Sequence, residues 1–296
     1  MKIEDFFQPG SNFLGLPEKD SNFDNSRYII LPVPYDATTT YVPGTRFGPE
    51  AIINASRMVE LYDEDLEIEP YKEGIYTFPP VVVSAGGPEA MGKTLEEIIS
   101  LVAKTKKFLI VLGGEHSITF PVVRTLKSIE KENFGVLQFD AHADLRNEYE
   151  STPYSHACVM KRISELNIPI FQVGIRSISA EELPMLKKKS IKTYWMRDIV
   201  DLAPEAVVSN LIKELPPSIY ITIDLDVFDP SLMPAVGTPE PGGLNWYEVL
   251  DILKQVFQKK TVIAFDVVEL CPLKNSIYSD FTAAKLIYRL MGYFNK

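Results

Sequence analysis

Apolar residues gather in six short, nearly unbroken runs, residues 28–32, 108–112, 135–139, 168–173, 219–223 and 262–267, rich in aliphatic and β-branched side chains. Strands shielded on both faces have this character, because neither face needs polar positions. Between the runs lie amphipathic stretches that predict helices over 95–104, 120–129, 157–166, 204–214, 246–257 and 280–293. Their alternation predicts the α/β class: three layers, α/β/α, with a mostly parallel central sheet, in one domain spanning 1–296. The first 26 residues read as an irregular arm, rich in Asn, Asp and Ser over 11–26. The acidic stretch 60–73, interrupted by Pro70, reads as a solvated loop. No repeat of fixed period is visible.

Ligands of open parallel sheets bind beyond the carboxyl ends of the strands, so polar residues just after an apolar run carry the functional information. The run 108–112 leads into Gly113-Gly114-Glu115-His116-Ser117, and the run 135–139 into Asp140-Ala141-His142-Ala143-Asp144. An extended chain would hold Asp140 and Asp144 roughly 13 Å apart, too far for one site, so the backbone must curl there. The run 219–223 leads into Asp224-Leu225-Asp226, whose two acids would share a face about 7 Å apart if the segment stayed extended. Like charges that close at the end of an apolar strand need a compensating cation or basic group. Asp229, before Pro230, reads as a turn former. Two imidazoles and four carboxylates are more than one open cation site uses, but suit two cations sharing bridging carboxylates. Histidine and aspartate donors without thiolate suit manganese, with nickel, cobalt, iron or zinc as other possibilities. His156 lies soon after the second acidic cluster and is the side chain suited to protonate a departing amine near neutral pH. Glu269, after the run 262–267, either has a structural ion-pair partner or holds a cationic ligand, and a guanidinium matches a carboxylate through paired hydrogen bonds.

Composition narrows the partners. Among 296 residues, 40 acidic side chains against 30 basic ones give a net charge of -10, which argues against a nucleic-acid surface and favours a small cationic partner. Two cysteines, Cys158 and Cys271, both in apolar surroundings, read as reduced thiols. With neither a leader pattern nor an apolar run of membrane-spanning length, a cytoplasmic protein is expected.

These segments together resemble the ureohydrolase (arginase/agmatinase) family, most closely its agmatinase branch, from about residue 31 to the C-terminus. The resemblance is carried by residues 113–117, 140–144, 224–230 and 266–269, and by Pro43-Gly44-Thr45-Arg46-Phe47-Gly48-Pro49. It implies an arginase-like fold with two Mn2+ per chain. One ion would be held by His116, Asp140, Asp144 and Asp224, the other by His142, Asp140, Asp224 and Asp226. It further implies hydrolysis of a guanidinium substrate, with Asp144 orienting the attacking hydroxide, Glu269 holding the guanidinium and His156 shuttling a proton. Arg146 and Ser179 stand where arginases use an Asn and an Asp to recognise the amino-acid end of arginine. The resemblance therefore points to agmatine, giving putrescine and urea in polyamine biosynthesis, with aminopropylagmatine, guanidinobutyrate, guanidine or arginine as alternatives. It also implies a homo-oligomer, trimer or hexamer. Two readings from other classes compete: a metal-stabilised binding protein without turnover, and a binuclear phosphoesterase, whose phosphate Glu269 would repel.

Overall fold

The computed structural model describes residues 11–130, 133–201 and 204–295. All six predicted runs form strands: β1 (Tyr28–Val33), β3 (Phe108–Gly113), β4 (Gly135–Phe139), β5 (Ile170–Ile175), β7 (Ser218–Asp224) and β8 (Thr261–Val268). Two further strands, β2 (Ile75–Thr77) and β6 (Ile191–Trp195), complete a single sheet in the order β2-β1-β3-β8-β7-β4-β5-β6. Every pairing is parallel. Strand residues alternate between two apolar cores, one on each face. Ile110, Phe139, Ile221 and Phe265 point to one core, while Val111, Val136, Tyr220 and Ala264 point to the other.

The helices follow in chain order: α1 (Glu18–Ser21), α2 (Gly48–Ser56), α3 (Pro88–Ala103), α4 (Thr119–Ile129), α5 (Val159–Ser164), α6 (Leu183–Leu186), α7 (Met196–Asp201), α8 (Pro204–Glu214), α9 (Trp246–Lys259) and α10 (Tyr278–Asn295). Buried residues of α2, α7, α8, α9 and α10 cover one face, and those of α3, α4 and α5 cover the other, giving three layers. A capping box starts α9: Asn245 accepts the Glu248 N–H at 3.1 Å and Glu248 returns the bond to the Asn245 N–H at 2.7 Å.

The described part of the arm, residues 11–26, holds only a 3-10 turn (Phe13–Gly15) and the short α1, and it is tied down. Phe13, Leu14 and Leu16 are buried in the core beside α2, and the Leu14 N–H donates to Ser56 Oγ at 2.8 Å; residues 1–10 of the predicted arm lie outside the described residues. The acidic loop 60–73 is not solvated throughout. Asp63 is fully buried, with its carboxylate 2.6 Å from Nε of the equally buried Arg289 on α10, which also meets Glu64 and Asp65. Apolar surroundings make that pairing compulsory: losing the arginine would leave a buried charge uncompensated, at a cost of about 3–5 kcal/mol.

Candidate active site

The four central strands β3, β8, β7 and β4 end side by side and bring the histidines and acids together. After β3, a Cβ on Gly114 would stand 2.0 Å from the Tyr35 carbonyl oxygen, so glycine alone permits the approach. The Glu115 N–H donates to that oxygen at 2.7 Å, fixing the turn that presents His116. Glu269 ties β8 to the same turn: its N–H donates to Gly114 O at 2.8 Å, and its carboxylate accepts the His116 N–H at 2.6 Å.

Beyond β4 the backbone does curl, and Asp144 adopts a left-handed φ of 52° while its carbonyl accepts the N–H groups of Met160 and Lys161. Beyond β7 the extended geometry expected for Asp224 and Asp226 is not found. The strand stops at Asp224, whose carboxylate accepts the Asp226 N–H at 2.9 Å and caps a 3-10 turn, Leu225–Val227. This short-range bond competes successfully with strand continuation. Asp229 shapes a turn, accepting the N–H groups of Ser231, Gly242 and Gly243.

His116 Nδ1 lies 3.1 Å from Asp140, 3.2 Å from Asp144 and 3.3 Å from Asp224. Buried, it makes no hydrogen bond with any of them. Beside it, His142 Nδ1 faces Asp226 at 2.8 Å and Asp140 at 3.7 Å. Donor atoms of His116, Asp140 and Asp144 form one compact group and those of Asp140, His142 and Asp226 a second, each within 4.8 Å. Asp140 belongs to both, as a carboxylate shared by two cations would. Backbone bonds aim the acids: Asp140 accepts the His142 N–H at 2.6 Å, and Asp226 the Ala141 N–H at 2.9 Å.

Electrostatics point the same way. Burial, with Asp140 alongside, lifts Asp144 to about 7, and burial with neighbouring carboxylates lifts Asp224 and Glu269 well above the usual range. Burial would lower His142, but Asp226 and Asp140 outweigh it and lift the imidazole to about 12. Protons thus substitute for positive charge in a cluster whose oxygen and imidazole donors, without thiolate, fit divalent cations.

Beneath this cluster runs a row of polar side chains that reasoning from strand ends passed over. Gln172, Gln138, Thr222 and Asp266 are paired in register across β5, β4, β7 and β8, all fully buried. Gln138 donates to Asp140 at 2.7 Å; Thr222 Oγ1 meets His116 Nε2 at 2.8 Å and donates to Asp266 at 2.6 Å. Such partners fix the orientation of a ligating imidazole. The available signal was a lone polar residue inside each apolar run.

His156 opens a 3-10 turn, His156–Cys158, capped by Ser155, and its ring meets the edge of Tyr149. Burial depresses the imidazole to about 4. It lines a cavity of about 240 Å³ together with His116, His142, Asp144, Asp224, Asp226 and Glu269, so all the sequence-predicted site residues except the fully buried Asp140 border one space. Thr40, Arg146, Tyr149, Ser179, Glu182 and Thr238 are also on its wall. Arg146 is already engaged: it donates to Glu181 at 2.6 Å and lies over the Tyr149 ring. Ser179 forms a capping box with Glu182. The segment Pro43–Pro49 acts from outside the cavity, with Arg46 bonded to the buried Asp36 carboxylate.

A three-layer parallel sheet with two adjoining histidine and aspartate groups at its central strand ends has the donor set of a metal-dependent enzyme that holds a pair of divalent cations. The description of the arginase family matches residues 26–292, and the chain belongs to that family. It is 40% identical over 284 residues to the N(1)-aminopropylagmatine ureohydrolase of Synechocystis sp., covering 94% of this chain and 92% of the relative. The agmatinase of Pyrococcus horikoshii is 37% identical, with 90% and 91% covered. Among solved structures, the agmatine ureohydrolase of Thermoplasma volcanium superposes with a TM-score of 0.87 at 28% identity, covering 99% of this chain and 97% of the other. The chain is thus an enzyme of the ureohydrolase type, hydrolysing guanidino compounds, as the sequence resemblance implied.

Proposed function

We propose that this enzyme releases urea from a linear guanidine bearing a cationic tail, N(1)-aminopropylagmatine first and agmatine second, using two Mn2+. The observation that carries the metal assignment is the unpartnered, buried His116 Nδ1 facing three carboxylates. His116, Asp140, Asp144 and Asp224 would hold one ion and His142, Asp140, Asp224 and Asp226 the other. When bound, the ions lower the pKa of water and supply a nucleophile at neutral pH. Glu269 grips the guanidinium through paired charge-assisted hydrogen bonds, and Asp144 orients the attacking oxygen toward the guanidinium carbon. His156, neutral at rest, takes up a proton and passes it to the departing amine nitrogen. Agmatine would yield putrescine, and its aminopropyl derivative the corresponding triamine, which makes this a step of polyamine biosynthesis in the cytoplasm. The assembly would be a trimer or hexamer.

The order of substrates departs from the sequence reading, which favoured agmatine. Four relatives at 37–40% identity are named for the aminopropyl derivative. Arginine is disfavoured because Glu181 already neutralises Arg146, the cation nearest to serving a substrate carboxylate. With manganese-loaded protein, urea release from aminopropylagmatine should exceed that from agmatine by about tenfold in kcat/KM, and that from arginine by about a hundredfold or more. Turnover of arginine equal to that of either amine would refute this reading, and metal analysis finding fewer than two manganese ions in the active protein would refute the centre.

A further inference from the structure

The mechanism needs one particular nitrogen of His156 to carry the proton, and a group outside the metal cluster decides which. Glu115 is fully buried beside His116, yet its carboxylate points away from the cluster, toward Thr38. It accepts the Thr38 N–H and the Thr38 hydroxyl, each at 2.6 Å, and also the Ser117 hydroxyl. The single hydroxyl proton of Thr38 is therefore committed to Glu115. What remains on Thr38 Oγ1 is lone pairs, and these meet His156 twice: the backbone N–H donates to Oγ1 at 3.1 Å, and Nδ1 lies 3.4 Å away. An oxygen that can only accept favours a proton on Nδ1, because the other tautomer would set lone pair against lone pair at this contact. Ser155 Oγ, 3.3 Å from Nδ1, accommodates either tautomer, accepting from Nδ1–H or donating to a bare Nδ1, so the Thr38 contact is the one that discriminates. Nε2 is then the bare nitrogen of the resting imidazole.

We infer that Glu115, acting through Thr38, fixes His156 as its Nδ1–H tautomer and so makes Nε2 the proton-carrying atom of the site. Thr38 and Glu115 are positioning residues here; neither touches the substrate. The loop that carries Thr38 is held for this task, since the Asp36 carboxylate accepts the N–H groups of Gly44 and Arg46 and binds the Arg46 guanidinium. The inference rests on the proton-carrier role proposed above for His156.

Thr38→Val keeps the side-chain shape and removes the hydroxyl. In manganese-loaded enzyme it should lower kcat by about tenfold or more, with KM and metal content unchanged, because a mispositioned histidine slows proton transfer without loosening substrate or ions. Thr38→Ser should return kcat to within about threefold of the parent. If the valine variant does not fold, Thr38→Ala makes the same comparison. In a His156→Ala background the valine change should add nothing, since coupled residues are not additive. A Thr38→Val kcat within threefold of the parent, an equal loss in Thr38→Ser, or a metal content that falls with the activity each overturns the relay. A parent enzyme that releases urea while Thr38→Val is unimpaired removes this inference alone, whereas a parent inactive on every guanidine removes the function on which it rests.

Discussion

At the scale of single residues, burial makes otherwise similar side chains diverge. His116 and His142 sit among carboxylates, and are lifted despite the cost of burying charge. His156 meets hydroxyls instead, so burial prevails and it stays neutral down to about 4. The first two are thus built to bind positive charge, and the third to receive and surrender a proton. Removing Asp226 should open the centre: Asp226→Ala leaves His142 without its 2.8 Å partner, and manganese content and activity should fall together. His156→Ala should keep both ions and slow turnover by about 10²–10⁴-fold, the usual share of a general acid. Metal analysis alongside urea release separates the two, and loss of metal from the His156 variant would contradict its assignment. Those three histidines were readable from sequence because each sits beside or soon after an acidic cluster at the end of an apolar run. Thr38 and Glu115 were not, for their meaning comes from a contact across 77 positions that no local pattern encodes.

Elements were legible in proportion to how completely they are buried. The central strands announced themselves by unbroken apolar runs, whereas β2 and β6 escaped notice at the two edges of the sheet. Edge strands are half-covered: β6 reads Ile-Lys-Thr-Tyr-Trp with only Ile191 fully shielded, and β2 has three residues. The failed expectation at Asp224 and Asp226 has a local cause, a side chain capping its own downstream turn. That turn is also held from outside. Arg176, just past β5, donates to the carbonyl oxygens of Asp226 at 2.6 Å and Glu240 at 2.8 Å, with longer bonds to Val227 and Phe228. Its five donors serve carbonyls on two loops at once, more than the three of a lysine ammonium on a differently shaped stem can match. Arg176→Lys should therefore weaken manganese binding by about tenfold, through Asp226, while the sheet stays intact. Titration of metal-free protein with manganese, followed by calorimetry, checks this; parental affinity would mean that the turn holds its shape unaided.

For the whole molecule, the binding centre is a store of unfavourable charge that the ions relieve. In metal-free protein, Asp144 is raised from 3.8 to about 7, so folding is penalised progressively as pH climbs through that window. His142, raised from 6.5 to about 12, works in the same direction: protonated in the fold, it stabilises at low pH and loses that contribution as pH rises through its folded value. His156, lowered from 6.5 to about 4, works oppositely, losing stability as pH falls between those values, and Asp140, held despite burial below the usual carboxylate range by His116 and His142, shares its sign at lower pH. The metal-loaded protein needs its carboxylates ionised and its histidines neutral, so its added stability grows with pH and with manganese concentration. The gap in Tm between manganese-loaded and chelator-stripped enzyme should consequently be large at pH 8 and shrink at pH 5.5. Thermal unfolding at both values provides the measurement. A gap that stays constant, or widens on acidification, would show that the buried acids are not what the ions stabilise, and the stability of this sheet would then owe little to the chemistry gathered at its central strand ends.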